Sequence, residues 1–208
     1  MKPPPRRSRR RLVLAIIATA VVAIVAAVLI PVLNGRDPEP APQAAPTPAA
    51  TARQNDSTPS PDSPAQPPAG YQLYRDPAGW SVAVPVGWTA AQDGTTVTFT
   101  GGGRVLRVTM RPDPPQDPYE AQLALQPVIE AGTPGYDFIR IASVTYRGWA
   151  TSDWEYRAGT TTRTHSLIRS TVTGPSTVFD ITWTCQDARW VADKRFFDTA
   201  VRTFDPGA

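Results

Sequence analysis

Thr177-Val178-Phe179-Asp180-Ile181-Thr182-Trp183-Thr184-Cys185 decides the fold class. Phe179, Ile181, Trp183 and Cys185 share one phase of a two-residue period, and Asp180, Thr182 and Thr184 share the other. That is the pattern of a strand with one buried face. Upstream, Gly174-Pro175-Ser176 is a turn, and three further strand-like runs precede it: Phe138–Tyr146, Trp149–Arg157 and Thr161–Thr173. Downstream, an amphipathic helix is predicted over Ala188–Phe204, with Trp190, Phe197, Val201 and Phe204 on one stripe at helical spacing. Strands joined by short turns pair antiparallel, and a helix with one apolar stripe must bury it against a sheet face.

The preceding stretch repeats this grammar. Tyr71–Arg75 and Trp80–Val84 flank the turn sequence Asp76-Pro77-Ala78-Gly79, and Pro85 stops the second run. Asp93-Gly94 is a hairpin signal between Trp88–Gln92 and Thr95–Thr100. Arg104–Met110 alternates Leu106, Val108 and Met110 with Arg107 and Thr109. A helix then opens with Asp117 as cap, Pro118 as first helical residue and Glu120 in capping-box position. Leu123, Leu125 and Val128 supply its apolar residues, and Pro127 is expected to kink or end it. The reading is an α+β domain over residues 71–208: an antiparallel sheet flanked by helices.

Met1–Gly70 is of another kind. Lys2 and five arginines crowd Met1–Arg11, and an uncharged apolar run from Leu12 to Leu33 follows. About 20 apolar residues span a bilayer as a helix, so 12–33 reads as a transmembrane helix in contact with lipid. The one-sided arginines place 1–11 in the cytoplasm and the rest outside, at the cell membrane. The alternative is a cleaved signal peptide, for which Ala18-Thr19-Ala20 and Val25-Ala26-Ala27 offer small residues. Residues 34–70 are mostly Pro, Ala, Thr, Ser, Gln and Asp with no large apolar side chain, which reads as a disordered, semi-stiff Pro/Ala-rich linker.

Composition removes one class of partner. The net charge is +3, but the basic tail alone holds six basic residues and no acids. The remainder carries 15 basic against 18 acidic residues, so nothing there matches a nucleic-acid backbone. Cys185 is the lone cysteine and His165 the lone histidine, so metal-ligand spacings are absent and no metal or cofactor is expected. Cys185 falls on the apolar strand phase and reads as a small buried residue.

Beyond these residue-level readings, Asp76-Pro77-Ala78-Gly79-Trp80-Ser81-Val82-Ala83-Val84-Pro85-Val86-Gly87-Trp88 resembles a recurring opening of actinobacterial extracytoplasmic domains. Gly135-Tyr136, Asp153-Trp154-Glu155-Tyr156, Arg163-Thr164-His165 and Phe204-Asp205-Pro206 add to the match. Such domains occur in membrane-anchored proteins and C-terminal to receptor-like Ser/Thr kinases. The resemblance implies a Mog-type/PsbP-like α/β/α sandwich over most of Tyr71–Ala208. It carries no catalytic residue with it, and the chain has no phosphate-binding loop.

Candidate chemistry is thin. His165 and Ser166 are adjacent on a strand and point to opposite faces, so they cannot form a nucleophile–base pair. Asp153 and Glu155 share a strand face at glycosidase-like separation, but opposing arginines such as Arg163 or Arg169 give a simpler account. Gly101-Gly102-Gly103 lacks the Lys-Ser/Thr ending of a phosphate cradle. Trp154 and Trp183 fit core phases. Trp80, Trp88 and Trp149 lie near turns and are the candidate ligand or partner surface. The functional expectation is a non-enzymatic, sensor-like binding module at the cell envelope, recognising an envelope ligand or a membrane protein. The alternatives are a scaffold or accessory subunit of a membrane complex, or an envelope glycoside hydrolase using Asp153 and Glu155.

Overall fold

The computed structural model describes residues 67–112 and 117–207. The basic tail, the 12–33 span and the linker up to residue 66 lie outside the described residues. Among the described residues, no helix is long and apolar enough to cross a membrane.

Among the described residues, nine strands and two α-helices follow in the order β1 (Tyr71–Arg75), β2 (Ser81–Pro85), β3 (Thr89–Asp93), β4 (Thr96–Gly101), β5 (Arg104–Pro112), α1 (Pro118–Gly132), β6 (Asp137–Ser143), β7 (Ala150–Ala158), β8 (Thr164–Gly174), β9 (Thr177–Gln186), and α2 (Trp190–Thr203). A single 3-10 turn, Asp187–Arg189, leads into α2. Strands β3 to β9 form a seven-stranded sheet ordered β3-β4-β5-β9-β8-β7-β6, and β1-β2 form a separate hairpin. Every pairing is antiparallel.

The two helices lie on opposite faces of the large sheet. On β7, Trp154, Tyr156 and Ala158 point toward α1 and pack with Ile129. The alternate β7 residues face α2, because their β8 partner Arg169 lies over Phe197 and the neighbouring His165 stacks on Trp190. The larger core fills the α2 side. There Phe179, Ile181, Trp183 and Cys185 of β9 meet Phe197, Val201 and Phe204 of the α2 stripe. The β1-β2 hairpin completes this layer through Trp80, Val82 and Val84. The Ala83 amide donates to Thr203 Oγ1 (3.1 Å) and Ser81 pairs with Asp205, which ties β2 to the end of α2.

Helix α1 departs from expectation in two ways. Asp117 caps it, accepting from the Tyr119 amide at 2.9 Å. Pro127, however, neither ends nor truncates it, and the helix runs on to Gly132. Pro127 is exposed, so the carbonyl its ring deprives of a donor lies on the wet side, where water can serve it. The buried residues are also not those expected. Leu123 and Val128 are exposed, while Pro118, Gln122 and Ile129 are buried. Gln122 is held in place by polar contacts: it accepts from Ser152 Oγ (2.7 Å) and donates to the Ile168 carbonyl (3.2 Å).

Candidate functional site

The three tryptophans proposed as a surface do not form one. Trp80 is 1 % exposed and belongs to the core, which corrects the expectation of partial exposure. Its ring packs among Tyr74, Phe179 and Phe204, because the Asp76–Gly79 turn folds it inward between the hairpin and the sheet. Trp88 and Trp149 are half-buried but lie in different clusters. Trp149 packs edge-on to Tyr146 beside the C-terminal end of α2. There Arg147, held in the left-handed region by the hairpin turn, donates to the carbonyls of Arg202 and Phe204 that the helix leaves unserved.

The carboxylates considered for hydrolysis are all committed internally. Asp153 is 3 % exposed and takes both Nε and Nη2 of Arg169 at 2.8 Å. Its pairing with Arg169 is one of the two arginine partners expected from the sequence, on a face that the structure buries. Glu155 accepts from Arg140 (2.8 Å) and faces His165 Nε2 (2.8 Å). On the other side His165 Nδ1 lies 3.0 Å from Asp187, and Trp190 covers the imidazole face at a ring separation of 3.6 Å. Both ring nitrogens thus face carboxylate oxygens. Arg163 pairs with Asp137, not with the Asp153–Glu155 face. Ser166 lies on the opposite sheet face and bonds Thr184 at 2.9 Å. This ladder joins β6, β7 and β8 to the turn that leads into α2. Among the described residues, no cluster of His, Cys, Asp or Glu could hold a metal ion.

Cys185 is 0 % exposed, and burial pushes its thiol up to about 12. At pH 8 the thiolate fraction is then roughly one part in 10⁴. In the native protein Cys185 is therefore expected to resist a soluble thiol reagent and to react fully only after denaturant is added. Rapid labelling of the native chain would contradict this burial.

A partly accessible aromatic cluster centres on Phe196 of α2. Its ring lies 5.7 Å from Trp88, 5.8 Å from Trp183 and 6.5 Å from Tyr71, and all but Trp183 are half-buried. Trp88 stacks nearly parallel to Trp183 at 6.1 Å. Gly101 makes this possible: a Cβ there would meet the Trp88 ring at 2.4 Å. Val86, two residues before Trp88, is 63 % exposed. Guanidinium groups of Arg104 and Arg195 lie over Phe196 at 5.2 and 5.0 Å. Asp193 neutralises part of this rim by pairing with Arg104 and Arg189, and among the described residues Arg195 has no carboxylate partner. Sequence reasoning found Trp88 but missed Tyr71, Phe196 and the arginines. The one available signal was the Phe196-Phe197 doublet, since neighbours on a helix diverge by about 100° and only one can follow the core stripe.

The fold is similar to the cyanobacterial PsbP of Synechocystis sp. PCC 6803, at 22% identity and a TM-score of 0.53, covering 66% of this chain and 92% of that one. It is also similar to the Ran-binding protein Mog1p of Saccharomyces cerevisiae, at 12% identity and a TM-score of 0.50, covering 66% and 98%. At such identities these likenesses establish the fold alone. No curated protein matches the chain by sequence. Residues 72–206 match the family model described as the serine/threonine kinase C-terminal domain. The chain thus belongs to the serine/threonine kinase C-terminal domain family, with a Mog/PsbP-like fold.

Proposed function

We propose that this protein is a membrane-anchored, non-catalytic accessory protein whose extracytoplasmic domain recognises a protein partner at the cell envelope through the Phe196-centred patch. The observation that carries the reading is the composition of that patch. Half-buried Trp88, Phe196 and Tyr71 next to exposed Val86, rimmed by Arg104 and Arg195, match the aromatic and arginine anchors enriched at protein interfaces. The carboxylates and the histidine that could serve catalysis are spent on internal pairs, which favours recognition over turnover. Mog1p is by name a Ran-binding protein, so a fold of this kind is compatible with protein recognition.

The test uses the full chain in its native membranes with a photo-crosslinking residue at position 86. A discrete crosslinked partner is expected, and it should be lost when Trp88→Ala is added. A crosslinker at Val191 is the control. Val191 is 91 % exposed, and the helical period turns it to another side of α2 from Phe196. Equal capture from both positions, insensitive to Trp88→Ala, would overturn the reading. Anchoring is tested separately by a reporter fused after Ala208: activity confined to the cytoplasm would rule out the proposed topology.

A further inference from the structure

The two edges of the large sheet are finished differently. At one edge, β6 carries a register shift between Phe138 and Arg140. It also holds charged side chains in ion pairs, Asp137 with Arg163 and Arg140 with Glu155. Bulges and charges are the devices that keep an edge strand from pairing further. At the other edge, β3 reads Thr89-Ala90-Ala91-Gln92-Asp93, with no proline and no basic residue. Its pairing with β4 runs without a shift, and all five residues are exposed.

The register shows which backbone groups of β3 face outward. Asp93 and Thr96 flank the two-residue turn Gly94-Thr95, so they exchange both backbone bonds. Alternation then commits Ala91 and Thr89 to β4 as well. The amides and carbonyls of Ala90 and Gln92 point the other way, off the edge of the sheet, where an added antiparallel strand could take them.

The strand is complementary to itself. Pairing about a two-fold axis sets Ala90 against the second copy's Gln92, Ala91 against Ala91, and Thr89 against Asp93. Ala91 is small enough to meet itself on the axis. Asp93 has an exposed carboxylate with no hydrogen bond or ion pair among the described residues. The Thr89 hydroxyl, accepting from Thr100 Oγ1 (2.8 Å), can donate to that carboxylate once on each side of the axis. The axis runs normal to the sheet, so the α2 layers of both copies lie on one side. Tyr71, where the chain enters the domain, packs on Phe196 in that layer. Both chains therefore enter from the same side, as two copies anchored in one membrane must.

We propose that β3 is the docking edge for a second copy of this chain, joining two sheets into one across a two-fold axis at Ala91. The proposal stands independently of the Phe196-centred patch. One short strand pair buries too little area for a tight dimer in free solution, so the contact draws on the high local concentration of copies sharing a membrane.

The test is disulfide crosslinking of the full chain in its native membranes with copper phenanthroline, read as a dimer band. Cys185 is the lone native cysteine and is buried, so the wild type is expected to give no band. Residues facing each other at the non-hydrogen-bonded Ala91 position have Cα atoms about 4.5 Å apart, within disulfide reach. Ala91→Cys is therefore expected to form the dimer. Ala90→Cys, whose equivalents stand roughly 7–8 Å apart on the diagonal, should form far less. Ser143→Cys, exposed on β6, should match it as a collision control. Gln92→Pro removes an outward amide proton and spares the bonds to β4. Added to Ala91→Cys, it should abolish the band while the circular dichroism stays that of the parent. If it alters the fold, the contrast between positions 90, 91 and 143 decides alone. Equal bands at those three positions would overturn the proposal, as would an Ala91→Cys band that survives Gln92→Pro. Capture of a different protein at position 91 in place of a second copy would overturn it too.

Discussion

Trp80→Ala is expected to lower the stability of the domain by about 3–5 kcal/mol, the usual cost of emptying a buried tryptophan site. Trp80 joins parts of the chain that are far apart in sequence. Its ring meets Tyr74 at 5.5 Å, Phe179 of β9 at 6.3 Å and Phe204 at the end of α2 at 6.4 Å. The β1-β2 hairpin shares no strand pairing with the large sheet, so such side-chain contacts carry most of its attachment. Against a typical domain stability of about 5–15 kcal/mol, the loss is about a fifth or more. A urea titration followed by circular dichroism measures it. Trp88→Ala, at a half-exposed site, should move the midpoint far less. Equal shifts for the two substitutions would show that Trp80 is not the core residue its burial indicates.

The second large effect is expected at Arg169→Met. It removes both donors from Asp153, which is 3 % exposed, and a buried carboxylate without a partner costs about 3–5 kcal/mol. Arg169 also lies over Tyr146 at 4.9 Å and Phe197 at 5.4 Å, so its loss loosens the seat of α2. The double variant Arg169→Met/Asp153→Leu discriminates between these causes. If the unpaired charge dominates, the double variant recovers most of the midpoint, because an apolar pair of similar volume replaces a salt bridge at little cost. If it remains as unstable as the single variant, the stacking over Tyr146 and Phe197 carries the effect.

Neither residue's role could be read from local pattern. Trp80 stands next to a turn, and turns are usually wet; only the packing of the hairpin onto α2 buries it. Asp153 alternates with Trp154 along β7, which marks the two faces correctly. Alternation cannot say that both faces are covered, and so it does not announce the burial of Asp153. On α1, of the three apolar residues expected to pack, Leu125 is partly buried beside Ile129, whereas Leu123 and Val128 are exposed and Gln122 and Ile129 take the buried positions. A buried glutamine is invisible to hydrophobic periodicity, since its burial depends on Ser152 and Ile168, which reach it from other strands. The His165 cluster shows the same limit. Glu155, His165 and Asp187 come from two strands and a turn, and no spacing in the chain announces their meeting.

By itself the sequence determined the elements, their antiparallel pairing between chain neighbours, the cap at Asp117, the core phase of β9 and the stripe of α2. These follow from interactions within a few residues: the two- and 3.6-residue periods, turn chemistry and capping. Only the tertiary structure decided that β5 pairs with β9, that the first hairpin leaves the sheet to cover the α2 face, and that Phe196 turns aside from Phe197 to meet Trp88 and Tyr71. Those choices depend on which distant surfaces bury each other best, a property of whole faces that no local window contains.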